Sequence, residues 1–521
     1  MSAEQQEGLW AGSELPDQEQ TAVPQPAAPG RPRVLAINRQ QMVMQVIDVA
    51  KLVPADHEVR AVWELVGRLE LNGYYEQIHS YEERAGRTAF DPQLLISLWV
   101  YAYSKGISSA REIERLCQHE PAFQWLTGMK VVGYHTLSSF RSQHQELLTQ
   151  LFVELLGVLS AEGLVSLERV TQDGTKVSAC AGQDTFRREG SLRKHLQAAR
   201  EQVELLSQQG EAEEVSLRVA KARARAAKEK EQRLELALEE LEKLRAEKQP
   251  AAPREVRVSE SDPQARIMKQ GNGGFGPSYN VQLNTDVGSQ VIVGVGVTQA
   301  AVDFDQLVSG VERVAEQAGQ PPEQVIVDAG YTTRHNIMEM ERRGIDLLGD
   351  PSLGSSGKEN SLKHAGIAKE FGRAAFSYDE LTNTYTCPAG QPLPQVGHLK
   401  REGFIEHQYR AAASACQACP SKPQCCPKSK SGRTLSTREE NPAIIKFKAK
   451  MESTAAQESY KLRGQVAEFS MVWIKAKIGL RKFCLRGLSK VTIEVLWACL
   501  TNNVKQWIRL RWRYRSVEAT T

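Results

Sequence analysis

Two apolar runs in this 521-residue chain stop in the same way. The run "RVTQDGTK" reaches Asp173 followed by Gly174, and "QVIVDAGY" reaches Asp328 followed by Ala329 and Gly330. Asp-Gly is a common turn dipeptide, because Asp bonds its own backbone and Gly accepts positive φ. The alternative is chemical, a carboxylate held at the end of a strand where a metal ion can reach it. Both interpretations predict a sheet whose strands end on acids.

The elements around these runs alternate between strand and helix. Residues 164–179 predict a strand pair centred on Asp173, in which Gly174 turns the chain. "SYNVQLNTDVGSQVIVGVGVTQ" predicts an antiparallel pair, and a helix follows at about 304–317. A helix over 334–343 and a short strand near 345–348 come after the second acidic strand. We therefore predict an α/β core with a mixed sheet.

Upstream of the core, from about 48 to 165, the apolar pattern is helical. In "SSAREIERLCQHEPAFQWLTG" the residues Ile113, Leu116 and Cys117 have helical spacing, and a longer leucine-striped helix follows. Short helices, a Gly-containing turn and a longer helix suit a helix-turn-helix DNA-docking unit. A plain helical bundle has the same pattern, so both interpretations stand.

A long helical segment interrupts the core after the Asp173 strand. Apolar residues spaced by three and four predict two heptad seams, with Gly210 where the chain would reverse. The seam residues are Leu192, Leu196, Ala199, Val203 and Leu206, then Leu217, Ala220, Ala224, Ala227, Leu234, Leu238 and Leu241. The pattern predicts an antiparallel hairpin or coiled coil, either a structural insert or an arm for dimerisation or DNA.

No segment predicts export or membrane insertion. Residues 1–33 are rich in Gln, Glu and Pro and lack the apolar stretch of a signal peptide, which predicts a disordered tail. The best apolar run, 94–103, is half the ~20 residues that a membrane helix needs. We expect a cytoplasmic protein without a membrane partner, whose nine cysteines suit metal binding better than disulfides.

The cysteines concentrate in one segment. Cys416 and Cys419 have the spacing of a metal knuckle, and Cys387 with Cys425 would complete a structural four-thiolate zinc site. Cys426 competes for the fourth position. Unliganded buried cysteines are the alternative.

Two aspartates at adjacent strand ends repel each other unless a cation lies between them. Oxygen ligands suit Mg²⁺ or Mn²⁺, and a third acid would allow two metals to act on a phosphodiester. Glu468 is the candidate, and Lys475, seven residues later, falls on the same face of a straight helix. The alternative is an exposed helix acid paired with Lys475. Tyr331 either leans against the site or packs in the core.

The end of the chain is basic. Residues 475–515 contain eleven Lys or Arg and one acid, interleaved with Trp507, Trp512 and Tyr514. Such cations bind phosphates in a salt-dependent, sequence-independent way. We expect DNA contact here, with a solvated basic tail as the alternative in which the aromatics merely anchor a helix.

Several of these motifs occur together in a known family. "DGTK" at 173, "DAGY" at 328 and Tyr460-x2-Arg463-x4-Glu468-x6-Lys475 resemble the DDE transposases of bacterial insertion sequences, in the group with a separate helical N-terminal domain. "GRTAFDP" (86–92), "GISSAREIE" (106–114), "HTLSSFR" (135–141), "YNVQ" (279–282) and the cysteine segment also match. The resemblance runs from about residue 45 to 510.

The resemblance implies a ribonuclease-H-like catalytic core. Asp173, Asp328 and Glu468 would bind Mg²⁺ or Mn²⁺, cut DNA at the element's ends and join the freed 3′-hydroxyl to target DNA. The partners would be double-stranded DNA, as terminal inverted repeats and target, and a second copy in a homodimeric DNA complex. The candidate DNA-contacting residues are Tyr460, Arg463, Lys475, Lys477, Arg481 and Lys482. On a straight helix Arg463 lies about 140° from Glu468, so its role depends on the resemblance or on a break at Gly464.

These inferences predict a division of the chain into six parts. They are a disordered tail (1–44), a helical DNA-binding domain (45–163), a ribonuclease-H-like core (164–186 and 254–350), a helical hairpin (187–253), a cysteine-containing insertion (351–440) and a C-terminal helical part (441–515). Two other functions compete with an active transposase. One is a catalytically silent DNA-binding descendant, and the other is a coiled-coil scaffold with a zinc knuckle.

Overall fold

The computed structural model describes residues 39–42, 44–80, 88–208, 214–247, 255–352 and 364–512. The predicted tail (1–44) therefore lies almost wholly outside the described residues. Gly210, where the helical hairpin was predicted to reverse, and Tyr514 of the basic stretch also lie outside them. Val49–Thr521 form one compact unit. Within the described ranges, no helix has both the length and the apolar character needed to cross a membrane.

A mixed six-stranded sheet forms the centre of this unit. Its strands are β1 (Arg169–Ser178), β4 (Arg266–Lys269), β5 (Phe275–Asp286), β6 (Ile292–Thr298), β7 (Gln324–Ile326) and β8 (Asp346–Leu348). The order is β4-β5-β1-β7-β8, with β6 also paired to β5. Strand β1 runs antiparallel to β5 and parallel to β7, and β7 runs parallel to β8. The prediction of a mixed α/β core is confirmed.

One local prediction is wrong. Residues 164–179 do not form a strand pair, because β1 continues without a turn through Asp173 and Gly174 to Ser178. All of its residues from Val170 to Ser178 pair with β5. The short local apolar pattern cannot reveal such a continuation, since the partner strand lies about a hundred residues away.

Helices surround the sheet. Those before and within the core are α1 (Glu58–Val66), α2 (Asn72–Tyr75), α3 (Pro92–Ser104), α4 (Ala110–His119), α5 (Pro121–Thr127), α6 (Tyr134–Ser142), α7 (Gln145–Ala161), α8 (Glu189–Gln208), α9 (Glu214–Glu247), α10 (Gln306–Ala318) and α11 (Arg334–Arg343). Those after it are α12 (Ala413–Gln417), α13 (Lys422–Cys425), α14 (Pro442–Glu452), α15 (Thr454–Val472) and α16 (Leu488–Trp507). Wider π-helical turns follow α15 and α16, at Trp473–Lys477 and Ile508–Trp512.

Helix α16 lies at the centre of the largest core. It is apolar around most of its circumference, as a fully buried helix must be, and it packs against α3, α7 and β6. Asn503 is one of its buried polar residues. The Asn503 amide accepts from the backbone N–H of Ile292 and donates to the carbonyl of Ile292, both at 2.8 Å, which joins the helix to β6.

Helices α8 and α9 pack against each other as an antiparallel pair, because Leu192 and Leu196 near the start of one meet Leu234 and Leu241 near the end of the other. A two-stranded ribbon of β2 (Phe186–Arg187) and β3 (Val258–Ser259) joins the base of this hairpin.

The cysteine segment has its own sheet. The five antiparallel strands are β9 (Ser377–Asp379), β10 (Thr384–Thr386), β11 (Pro392–Arg401), β12 (Phe404–Arg410) and β13 (Thr434–Glu440). A separate buried cluster that includes Tyr385, Leu393 and Leu435 stabilises it.

Candidate active site

Strand pairing brings the two aspartates side by side. In the parallel ladder between β1 and β7, Thr171 is opposite Ile326. Asp173 lies two residues beyond Thr171, and Asp328 lies two residues beyond Ile326. The two aspartates therefore lie at the same level on adjacent segments of the polypeptide. The negative charge of Asp328 accordingly raises the pKa of Asp173. Asp328 follows a strand end as predicted, whereas Asp173 lies inside a strand.

Position 174 requires glycine because there is no room for a side chain, and not because the chain turns there. It pairs with Gln282 of β5 and keeps an extended backbone. A Cβ added at Gly174 would lie 2.3 Å from Gln282 Nε2, 2.6 Å from Asp303 Oδ1 and 2.9 Å from the Tyr331 hydroxyl. Only glycine allows these three polar side chains to approach the backbone beside Asp173.

Asp303 is a site residue that the sequence patterns did not reveal. Its carboxylate accepts from Lys176 Nζ at 3.0 Å, from Asn280 Nδ2 at 2.7 Å and from Gln282 Nε2 at 2.7 Å. Asn280 and Gln282 are fully buried on β5. The sequence contained one signal for such a partner. In "YNVQ" the two amide residues alternate and so share one face of the strand, and buried amides need hydrogen-bond partners.

The charge of Asp173 is only partly compensated. Burial is the largest cause of a rise in the pKa of Asp173 to about 6, and the charges of Asp328 and Asp303 add to it. The Gly174 N–H, 2.7 Å from Asp173 Oδ1, and the Arg463 guanidinium oppose the rise. Three acids thus share one partly enclosed region with an incomplete set of cations.

Tyr331 belongs to the same group. Its buried hydroxyl donates to Gln282 Oε1. Burial raises the pKa of this hydroxyl, and the charges of Asp303, Asp173 and Asp328 raise it further. Tyr331 combines the two interpretations, because its hydroxyl lies among the polar side chains beside Asp173 while its ring is fully buried in the hydrophobic cluster that includes Val325 and Leu347.

Helix α15 packs over β1, β5 and β8 and supplies the cationic side. Arg463 Nη1 lies 3.7 Å from Asp173 Oδ2. The helix continues through Gly464 without a break, so Glu468 lies about 140° around the axis from Arg463. Glu468 is exposed. The structure brings Arg463, and not Glu468, to Asp173.

Tyr460 lies near the same acids. Burial raises the pKa of Tyr460, and the charges of Asp350 and Asp328 raise it further while Arg463 lowers it. Its ring packs against the buried cluster under β7 and β8.

The straight-helix argument for Lys475 fails. A π-helical turn at Trp473–Lys477 follows α15, so seven residues no longer make two α-helical turns between Glu468 and Lys475. Lys475 instead turns to β1, where its Nζ donates to the carbonyl of Lys176 at 3.1 Å. Burial lowers the pKa of Lys475.

The next residues extend along the end of β1. The Phe483 N–H donates to the carbonyl of Ser178 at 2.9 Å, and Ser178 forms a parallel bridge with Lys482. This pairing leaves Lys477, Arg481 and Lys482 exposed beside the strand that contains Asp173. All six predicted DNA-contacting residues therefore lie on α15 or on the segment joined to β1.

The donor chemistry at Asp173 and Asp328 fits a hard divalent cation, because neighbouring carboxylates repel each other and are stabilised by positive charge. Within the described ranges, however, no three His, Cys, Asp or Glu side chains are arranged to hold a metal ion. Glu468 is exposed on α15, and its part in a metal site stays a prediction.

The five cysteines of the small sheet line a common cavity: Cys387, Cys416, Cys419, Cys425 and Cys426. Backbone N–H groups point at two of the sulfurs, from Gln391 to Cys387 Sγ and from Arg433 to Cys416 Sγ, each at 3.3 Å. Burial raises the pKa of the Cys425 thiol to about 11, which a bound cation would reverse.

Two family models match the chain. The model described as a transposase domain (DUF772) matches residues 47–143, and the model described as a transposase DDE domain matches residues 386–508. Both matches support a DDE-type insertion-sequence transposase. The second match contains Glu468 and the cysteines, while both aspartates lie outside the two matches. No curated protein sequence is significantly similar to this transposase.

The far end of the basic stretch serves the fold of the transposase. Trp507 is buried and donates to Glu162 Oε2 at 2.8 Å. Lys505 pairs with Glu58, and Arg511 donates to the carbonyl of Glu162. These contacts attach Trp507, Lys505 and Arg511 to the rest of the protein, and DNA contact by this part of the basic stretch stays a prediction.

Proposed function

We propose that this transposase cleaves phosphodiester bonds at insertion-sequence ends and transfers the freed 3′-hydroxyl to target DNA, using Mg²⁺ or Mn²⁺. The observation that carries the proposal is the register of β1 and β7, which places Asp173 beside Asp328. Carboxylates that repel one another in a partly enclosed region suit a site that binds divalent cations.

Asp173, Asp328 and Glu468 would hold the metals. When bound, such ions activate the attacking oxygen and stabilise the leaving oxygen of the displacement. Asp303 accepts hydrogen bonds from the amides of Asn280 and Gln282, and Gln282 Oε1 in turn accepts from the Tyr331 hydroxyl.

The cations around the site would orient the DNA backbone. Arg463 neutralises Asp173 in the free protein. A DNA phosphate would compete with Asp173 for this guanidinium, and Glu468 would join the aspartates when DNA and metal bind. Tyr460 and Lys475 would contact the DNA near the aspartates, and Lys477, Arg481 and Lys482 would contact phosphates along the end of β1.

The remaining parts of the proposal follow the resemblance. The sheet would be a ribonuclease-H-like core, which its strand order β6-β5-β1-β7-β8 supports. The helices of 45–163 would bind the terminal inverted repeats, and two copies would act together in the DNA complex in the cytoplasm. A structural zinc ion would be bound by Cys387, Cys416, Cys419 and Cys425, with Cys426 as the competing fourth ligand.

A catalytically silent DNA-binding protein is the second candidate. It is favoured by the exposure of Glu468 and by the ion pair between Arg463 and Asp173, because a cation of the protein then contacts one predicted metal ligand while another faces solvent.

Incubation with Mg²⁺ and DNA carrying the element's own ends tests the proposal. We expect 3′-hydroxyl products from the wild type and at least a thousandfold slower cleavage by Asp173→Asn, Asp328→Asn and Glu468→Gln, with DNA binding retained. Asp305→Asn is the matched control, since Asp305 is exposed and caps α10 without a side-chain hydrogen bond. DNA binding without cleavage by the wild type would favour the silent protein.

A further inference from the structure

The helical hairpin of α8 and α9 has two unlike halves. At its base the apolar seam is buried and the charges are paired. Arg193 and Arg245 contact Glu189, and Arg200 contacts Glu231 and Glu235. The charges at the base of the hairpin therefore neutralise one another.

The outer half of α9 is different. Between Val219 and Lys228 the sequence "VAKARARAAK" contains four cations and no acid. Every side chain in this stretch is exposed except Ala227. Across the part of the chain that the structure describes, these four cations, Lys221, Arg223, Arg225 and Lys228, form no ion pair.

Three of the cations form a stripe on the outward face. Lys221, Arg225 and Lys228 are spaced by four and three residues, so they lie within about 60° of one another around the helix. The buried seam residues Leu234 and Leu241 lie about 200–220° from Lys221 in the same direction of rotation. We call Lys221, Arg225 and Lys228 the arm stripe.

An unpaired stripe of this kind has a cost for the free protein. Like charges at i,i+4 destabilise a helix by about 0.2–0.5 kcal/mol per pair, and none of the acids that neutralise the base of the hairpin occurs here. Duplex DNA complements the stripe, because it carries about one negative charge per 1.7 Å of helix axis. The arm stripe extends for about 10 Å at about 1.5 Å per residue, which is enough to meet several phosphates.

We propose that the arm stripe binds the sugar–phosphate backbone of duplex DNA outside the cleavage site. This inference rests on the proposed function, since it assumes a DNA substrate. It assigns the hairpin a role as a second, sequence-independent DNA clamp in addition to the cations near Asp173.

The test compares two triple variants of the full-length protein on a duplex of unrelated sequence. K221Q/R225Q/K228Q removes the arm stripe, and R193Q/R200Q/R245Q removes the same charge from paired positions of the same hairpin. Fluorescence anisotropy at several salt concentrations gives the slope of log K against log[salt]. Circular dichroism verifies that both variants keep the helical content of the wild type.

We expect the arm-stripe variant to bind at least tenfold more weakly at low salt and to lose about 2.7 from the slope, three contacts at about 0.9 each. R193Q/R200Q/R245Q should keep the wild-type slope. Equal slopes in all three proteins, or equal losses in both variants, would overturn the inference. A change from dimer to monomer in the arm-stripe variant alone would also overturn it, by making the hairpin a self-association surface.

The outcome separates this inference from the proposed function. If the wild type binds and cuts DNA while the arm-stripe variant keeps its slope, only the inference fails. If the wild type has no affinity for duplex DNA, both fail.

Discussion

Two half-buried carboxylates of this transposase have opposite electrostatic surroundings. Burial and the neighbouring acids raise the pKa of Asp173 to about 6. Burial alone would also raise the pKa of Glu58, but hydrogen bonds from Lys105 and Lys505 outweigh it and lower the pKa to about 2. The difference separates a carboxylate that lies beside other acids, with the Arg463 guanidinium 3.7 Å away, from a carboxylate that two lysines hydrogen-bond directly. We interpret the first as prepared for an external cation and the second as part of the scaffold.

The largest expected effect comes from crowding the first region. Gly174→Ala inserts a methyl group where Gln282, Asp303 and Tyr331 converge. Overpacking costs about 1–3 kcal/mol, and displacement of the polar groups should slow cleavage at least a hundredfold. Thermal unfolding and the cleavage assay measure the two effects. Gly157→Ala is the control, because a Cβ there has open space. Wild-type cleavage by Gly174→Ala would show that the close approach is unimportant.

Asp303 provides the second prediction. Asp303→Asn removes the charge that Lys176, Asn280 and Gln282 share. Loss of such an orienting partner typically costs about 10–100-fold in activity. The rate should fall within that range while the substrate concentration for half-maximal rate changes little. Asp305→Asn should cut at the wild-type rate. Equal behaviour of the two variants would remove Asp303 from the site.

The pH dependence of stability distinguishes the two carboxylates. Because the pKa of Asp173 is raised on folding, its ionisation destabilises the folded state as pH rises from about 4 through 6. In metal-free buffer, Asp173→Asn should therefore gain stability relative to the wild type over that interval, on the order of 1–2 kcal/mol by pH 7. Urea unfolding at pH 4 and pH 7 measures the difference. A difference between wild type and variant that does not change with pH would contradict it.

Glu58 should behave in the opposite sense. Its lowered pKa contributes stability that is present above about 4.5 and is lost as pH falls towards 2. Glu58→Gln should lower stability at pH 7 by about 1 kcal/mol, with no change in cleavage rate, and the wild type and variant should converge in acid. A stability difference that persists at pH 2 would exclude the pairing with Lys105 and Lys505 as its cause.

The sequence predicted the parts of this arrangement that depend on local pattern. The strand before Asp328, helix α11 and the packed helical hairpin follow from apolar periodicity and agree with the structure. The continuation of β1 through Asp173 did not follow, since pairing with β5 holds it straight and that partner is distant in sequence. Asp303 was not predicted, because its function depends on amides brought to it by the sheet.

The charge composition of the C-terminal stretch does not distinguish cations that the protein itself binds from cations that remain exposed. The cations at Lys505 and Arg511 look the same in sequence as those at Lys477 and Arg481, yet Glu58 and a carbonyl satisfy the first two. The prediction that Lys475 lies on the same helix face as Glu468 failed, because residue spacing does not reveal a π-helical turn. The position of Glu468 depends on how α15 is rotated over the sheet, which no local pattern fixes.

Binding of Mn²⁺ in the absence of DNA tests the central claim most directly. Isothermal titration at pH 7 should show binding to the wild type and to Asp305→Asn. The affinity of Asp173→Asn and of Asp328→Asn should be reduced at least tenfold, because each variant removes one of the two adjoining carboxylates. Undiminished Mn²⁺ affinity in both variants would show that the aspartates joined by β1 and β7 are not a divalent-cation site.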